Sequence, residues 1–216
     1  MKHTLGELRG ELLHETGRRL VRWGFSARIR EQAFYRGMDG GRTCAHISFI
    51  QHEQDVDATL DVAVRFDAVE NLANRWSKLL SNREKAATFT LGAELGNLER
   101  GEPFRVTLGK MEDVEGAVDA LIAKFEKIGL PYLEQCSRPE SAYGLLSKDT
   151  REGWINSPIN WERAKRACAL LAVMGRYSEI DNFGQQKLSF LESVNDPART
   201  FFAQFLAELK DSLGLQ

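Results

Sequence analysis

The feature that most limits what this chain can fold into is a change of hydrophobic period along it. From Phe25 to Phe66 apolar residues recur at every second position: Phe25, Ala27 and Ile29, then Ile47 and Phe49, then Val56, Ala58, Leu60, Val62, Val64 and Phe66. Successive side chains of a strand point to opposite faces, so this spacing predicts antiparallel strands with one face on a core. The stretch Asp39-Gly40-Gly41 between "AFYRGM" and the strand carrying Ile47 predicts a hairpin, because Asp-Gly tolerates the backbone angles of a tight reversal. "ATFTLGAEL" and "PFRVTL" read as two more strands.

Helical spacing brackets this region. Leu5, Leu8, Leu12, Leu20 and Trp23 predict an amphipathic helix over residues 4–23, stopped by Gly24, and Val69, Leu72, Trp76 and Leu79/Leu80 predict a second in "AVENLANRWSKLL". After Lys110 the period becomes helical to the end. "MEDVEGAVDALIAKFEKIG" is expected to stop at Gly129 and Pro131, "PYLEQC" and "PESAYGLLS" are short helices, and "REGWINSPIN" reads as a linker whose Ser157-Pro158 opens the next helix. Three further helices follow. The expected fold class is α+β: an antiparallel sheet of about five strands packed on helices, then an all-helical C-terminal subdomain. The expected division is an α+β domain over residues 1–150 and a helical subdomain over 151–216.

Charge and cysteine usage exclude several function classes. The 216 residues hold 29 basic and 31 acidic side chains, a net charge of -2, which gives no overall field for nucleic acid. No stretch approaches the roughly 20 apolar residues that cross a bilayer, and the N-terminus lacks a signal-like apolar core, so the expectation is a cytoplasmic protein with no membrane contact. Cys44, Cys136 and Cys168 form no C-x-x-C pair, which argues against a disulfide framework or zinc knuckle. Neither G-x-x-x-x-G-K nor G-x-G-x-x-G occurs, and no cofactor is expected.

"GFSARIREQAFYR", "AHISFIQHEQDVDATLDVAV" and "GLPYLEQCSRPESAYGLLS" together resemble a bacterial α+β family known as a domain of unknown function. The shared marks are a Gly-Phe strand, a Phe-Tyr-Arg strand and a strand ending in glutamine, here Gln51. The resemblance covers roughly the first two thirds of the chain. It implies the α+β fold, brings no catalytic residues, and is compatible with an immunity or accessory role in bacterial conflict systems. "ACALLAVMGRYSEI" resembles the turn of a tetratricopeptide helix pair, in a single copy.

Chemistry concentrates in "RTCAHISFIQHEQD". A hairpin closed by Glu53-Gln54 sets His52 opposite Asp55, Ile50 opposite Asp57 and His46 opposite Asp61. The open sheet face then carries Cys44, His46, Ser48, His52, Asp57 and Asp61. Cys44, His46 and Asp61 are the catalytic candidates, as a thiol beside an imidazole oriented by a carboxylate. His46 and His52, six residues apart, lie roughly 20 Å from one another, too far to share an ion, so no metal site is expected. A half-solvated sheet face has this same composition, and no oxyanion device accompanies the dyad. Trp154, Trp161, Tyr143 and Tyr132 are the binding candidates, lining a groove between the sheet domain and the helices, while His3 and His14 face solvent. The leading expectation is a non-catalytic binding protein with a protein partner. The alternative is a small cysteine- or metal-dependent hydrolase on the open sheet face.

Overall fold

A computed structural model describes residues 4–99 and 101–215; His3 lies outside them. Helix α1 (Leu5–Leu20) opens with a capping box in which the Thr4 side chain accepts the Glu7 N–H and the Glu7 carboxylate accepts the Thr4 N–H at 2.7 Å. A 3-10 turn carries the chain to Gly24, whose φ of +80° suits a residue without Cβ. Then come β1 (Ser26–Arg28), β2 (Ala33–Met38), β3 (Gly41–Gln51) and β4 (Val56–Phe66). The alternation through Ile29 stops short as a strand. Residues Ile29–Glu31 form a 3-10 turn closed by Gln32 at φ +54°, and the Gln32 carbonyl accepts the Ile47 N–H at 2.9 Å.

Next are α2 (Asp67–Ala73), α3 (Asn82–Ala87), β5 (Leu91–Glu94), α4 (Leu95–Glu99) and β6 (Val106–Leu108). The six strands form one antiparallel sheet in the order β1-β2-β3-β4-β5, with β6 also paired to β4. Met38 faces Gly41, so Asp39-Gly40 is the hairpin turn, with Gly40 at φ +67°. Helix α2 is shorter than its apolar spacing predicts. Asn74 follows its last residue, and its side-chain amide donates to the Glu70 carboxylate and to the Thr88 hydroxyl, both at 3.1 Å, tying the helix end to the segment before β5.

Helices α5 (Asp113–Lys124), α6 (Leu130–Cys136), α7 (Pro139–Leu146) and α8 (Arg151–Asn156) follow. Gly129 does not stop α5. Pro131 has no N–H and crowds the carbonyl four residues back, and the chain widens into a five-residue π-turn over Phe125–Gly129, where the Leu130 N–H reaches the Phe125 carbonyl. "REGWINSPIN" is a helix rather than a linker over its first six residues. The next helix, α9 (Asn160–Val173), starts after Ile159, so Ser157-Pro158 precedes its cap. Helices α10 (Tyr177–Ser193) and α11 (Arg199–Ser212) complete the chain.

By compactness the chain divides into two units, each drawn from two stretches, whereas the sequence places a single division after residue 150. The first runs to Val64 and resumes over Ala93–Gln135; the second joins Arg65–Gly92 to the chain from Cys136 onward. In the first, Val56, Ala58, Leu60, Val62 and Val64 are all buried, as are Ala45, Ile47 and Phe34 on the neighbouring strands. Helix α1 lies close on this face: a Cβ on Gly17 would stand 3.1 Å from the Phe34 ring.

The second unit is built around α9, which packs against α2, α7, α10 and α11. Every residue from Arg163 to Ala172 is buried, so this helix has no solvent face. Three of those residues are cations, and each has acceptors. Arg163 donates to the Ser157 carbonyl at 2.8 Å and to the Asn160 side chain at 3.0 Å. Lys165 donates to Glu162 at 2.8 Å, and Arg166 donates to Glu162 at 2.6 Å and to the buried Glu70 at 2.9 Å. Burial alone would raise the Glu70 carboxyl, but Arg166 with hydrogen bonds from Thr88 and Thr90 outweighs it and holds the group below its ordinary value.

A group depressed in the folded state stabilises above its unfolded pKa, near about 4.3 for glutamate, and loses that contribution as pH falls through the folded value. Glu70→Ala strands a buried guanidinium and is expected to cost about 3–5 kcal/mol at neutral pH. Melting midpoints from pH 7 to 3 should fall less steeply for Glu70→Gln than for the natural protein. On α11, Phe202, Leu206 and Leu209 face inward, and Leu206 sits where a Cβ on Gly184 of α10 would stand 2.5 Å from it. Leu206→Ala should therefore cost about 2–5 kcal/mol, read as a lowered midpoint in urea or heat.

Candidate functional site

The hairpin register places the sheet-face candidates. The His52 N–H donates to the Asp55 carbonyl at 3.0 Å, which leaves Glu53-Gln54 as the turn. Asp61 then lies across from His46. The Ser48 hydroxyl donates to Asp61 Oδ2 at 3.0 Å and stands 3.3 Å from His46 Nδ1, while His46 Nδ1 is 3.8 Å from Asp61. Serine, histidine and aspartate are thus together, but in the wrong order for a nucleophile. In a hydrolytic triad the imidazole sits between hydroxyl and carboxylate and takes the hydroxyl proton. Here the hydroxyl sits between them, and its proton is committed to Asp61.

Cys44 is buried on the same face, beside Tyr35 on β2. Its thiol donates to the Ala45 carbonyl rather than to an imidazole. Burial pushes the thiol up to about 12; Arg42 opposes this weakly and Asp61 reinforces it. The Cys44, His46 and Asp61 set is therefore only partly assembled: His46 and Asp61 meet through Ser48, and the thiol stands apart as a protonated core group.

At the end of the same hairpin, donor atoms of His52, Asp55 and Asp57 all lie within 4.8 Å of one another. The sequence reading compared His46 with His52 and missed this grouping, although the spacing His-x-x-Asp-x-Asp across a two-residue turn carries it. The protein already satisfies the central carboxylate. Thr107 of β6 donates to Asp57 at 2.6 Å, His52 Nε2 lies at 3.3 Å and Arg105 at 3.8 Å. The Thr107 hydrogen bond is the largest of the effects that hold the Asp57 carboxyl below its usual range.

A third arrangement lies wholly within the second unit. Trp76 and Leu79 after α2, Trp161 and Lys165 of α9, and Phe201 and Phe205 of α11 enclose a groove of about 230 Å³. Its rings meet in pairs, Trp76 with Phe205 at 5.9 Å and Trp161 with Phe201 at 6.0 Å. Leu79 is 76% exposed and Phe201 54%. Of the four predicted binding residues only Trp161 lines this groove. Trp154 stands 52% exposed on α8, Tyr143 packs against Phe183 at 5.7 Å, and Tyr132 is buried in the first unit. Trp76 reads as part of the inward stripe Val69, Leu72 and Leu79/Leu80, and Phe201 and Phe205 lie beside the inward stripe Phe202, Leu206 and Leu209; the adjacent pair Phe201-Phe202 is the signal, since both cannot face the same neighbour.

No family model, curated protein or solved structure matches the chain. No helix among the described residues is long and apolar enough to cross a membrane.

With a pKa near 12, Cys44 holds on the order of a thousandfold less thiolate at pH 8 than a free thiol of pKa about 8.5. Alkylation of the native protein by iodoacetamide should accordingly be slow at Cys44, with no preference over Cys168, which burial also raises to about 12. Rapid labelling confined to Cys44 would contradict the geometry described.

Proposed function

We propose that this is a non-catalytic binding protein that engages a protein partner through the aromatic groove of the second unit. The observation that carries the reading is the exposure of large apolar side chains around one concavity, with Leu79 and Phe201 at its mouth. Buried tryptophan and phenylalanine in a pocket are the side chains that anchor protein interfaces, and contiguous exposed apolar surface is costly unless something covers it. The polar clusters of the sheet face, by contrast, bond within themselves. The alternative of a small hydrolase has weaker support, because Cys44 is held protonated and the Ser48 proton goes to Asp61.

The setting we propose is the cytoplasm, in line with three free buried thiols. Membership of the bacterial domain-of-unknown-function family, with an immunity or accessory role, belongs to the same proposal and rests on the residues quoted above.

Partner capture from the native cell, quantified by mass spectrometry for natural, Phe201→Asp and Asp61→Asn proteins, tests the reading. A partner held by the natural protein should drop at least about tenfold with Phe201→Asp, the scale of one interface anchor, and be unaffected by Asp61→Asn. Phe201 is half exposed, so the melting midpoint should hold and a folding defect is separable from a binding defect. Equal capture by Phe201→Asp would remove the groove from the account.

A further inference from the structure

The groove is aromatic on its walls and cationic in its charge. Lys165 lies at its floor with a side chain 4% exposed, its ammonium 4.6 Å from the Trp161 ring centroid. An ammonium carries three N–H donors, and one is taken by Glu162. The other Glu162 oxygen accepts from Arg166 at 2.6 Å, and Arg166 is paired with Glu70 as well, so two carboxylates answer these two cations. Burial lowers the Lys165 pKa below its ordinary value, and Glu162 only partly restores it.

At the mouth, Lys78 is exposed beside Leu79. No carboxylate of the described residues pairs with it. Arg75 adds a further cation on the same segment, its guanidinium 5.5 Å from the Trp76 ring centroid. Against these the lining offers one carboxylate, Glu208, which already accepts from Gln204 at 3.0 Å.

We infer that the groove takes an acidic amphipathic helical segment of a partner protein, which seats apolar side chains between Trp76, Trp161, Phe201 and Phe205 and brings a carboxylate to Lys78 at the rim. This rests on the partner-binding reading and specifies its ligand. Apolar anchors one helical turn apart fit a concavity walled by rings, in the helix-in-groove mode of recognition. A carboxylate on the same segment meets Lys78 at the rim, where charge sets orientation and discriminates against basic segments.

The probes are two fluorescein-labelled amphipathic helical peptides, each with leucine and phenylalanine one turn apart, one flanked by glutamate and the other by lysine. Fluorescence anisotropy is measured with natural, Lys78→Glu and Phe201→Asp proteins. The natural protein should bind the glutamate peptide about tenfold more tightly than the lysine peptide; Lys78→Glu should abolish or invert that preference, and Phe201→Asp should weaken both. Raised salt should narrow the difference between the peptides. Equal binding of both peptides by the natural protein, or a preference untouched by Lys78→Glu, overturns the acidic ligand while leaving the aromatic groove as a partner site. Failure of both peptides to bind also overturns this inference; the broader reading falls with it only if Phe201→Asp keeps its cellular partners as well.

Discussion

The second unit depends on how one enclosed helix disposes of its charges. An α-helix surrounded on all sides is ordinarily apolar all round, yet α9 buries Arg163, Lys165 and Arg166. A buried cation without a partner costs several kcal/mol, so each constrains what packs against it. Arg166 requires Glu70 and thereby fixes α2. Arg163 holds the Ser157 carbonyl and lies 3.6 Å from Asp149, and Lys187 of α10 reaches the same Asp149 at 2.7 Å. These contacts set the chain before α9 and the helix after it. The groove is a consequence: once α2 is tied to α9 by Glu70 and Arg166, the residues that follow Asn74 pass over the first turns of α9, and Trp76 comes to face Phe205.

The polar groups of the sheet present a different balance. Ser48, His46 and Asp61 exchange hydrogen bonds among themselves, as do His52, Asp57 and Thr107, and Tyr35 donates to Glu31 at 2.9 Å. Catalytic groups are activated by being poised toward a substrate, with a base free to take a proton. On this face the Ser48 and Thr107 hydroxyls already donate to carboxylates of the same clusters. The groove is the converse case, where the walls are apolar and the mouth, with Leu79, Phe201 and Lys78, is exposed. That asymmetry is why the partner reading is attached to the second unit and not to the histidines.

How much of this was legible in the sequence follows from the range over which each residue acts. The core faces of β3 and β4 and their register were legible, because period two and a two-residue turn are local properties: Ile47, Leu60 and Val62 are buried and His46 lies across from Asp61, as the register requires, whereas Ala27 of the same alternation is exposed on the edge strand β1. The helix boundaries misread are those that the apolar stripe does not decide. The end of α2 is tied through Asn74 to Thr88, a residue distant in sequence, and Pro131 widened α5 into a π-turn instead of stopping it. Three cysteines without a C-x-x-C pair suggest buried thiols, but alternation sets Cys44 on the open face, because it assigns a face and not what covers it; Tyr35 stands opposite Cys44 on the neighbouring strand. The groove was the least legible part. Its walls come from residues separated by over a hundred positions, and Lys165 in "NWERAKRA" reads as the solvated side of a helix until α2 and α11 are seen to enclose it.

Helix α11 shows why the exposed rings are hard to ascribe to stability alone. At about 100° per residue, Phe201, Phe205, Leu209, Phe202 and Leu206 occupy one continuous arc of about 140°, with Phe201 at one edge and Leu206 at the other. The fold uses most of that arc: Phe202, Phe205, Leu206 and Leu209 are buried. Phe201 is the remainder, half exposed, and on its outer side the helix turns at once to Glu208 and Gln204. A helix evolved only to close the second unit would lose little by carrying a polar residue at that edge, since the core ends at Phe205. An aromatic ring placed there, opposite Trp161 and next to a carboxylate, extends the apolar stripe into the groove, where within its own unit it meets one ring and otherwise faces solvent. Its energetic return is complete only when a further apolar side chain is inserted against it, which is the condition an anchor of a partner segment would satisfy.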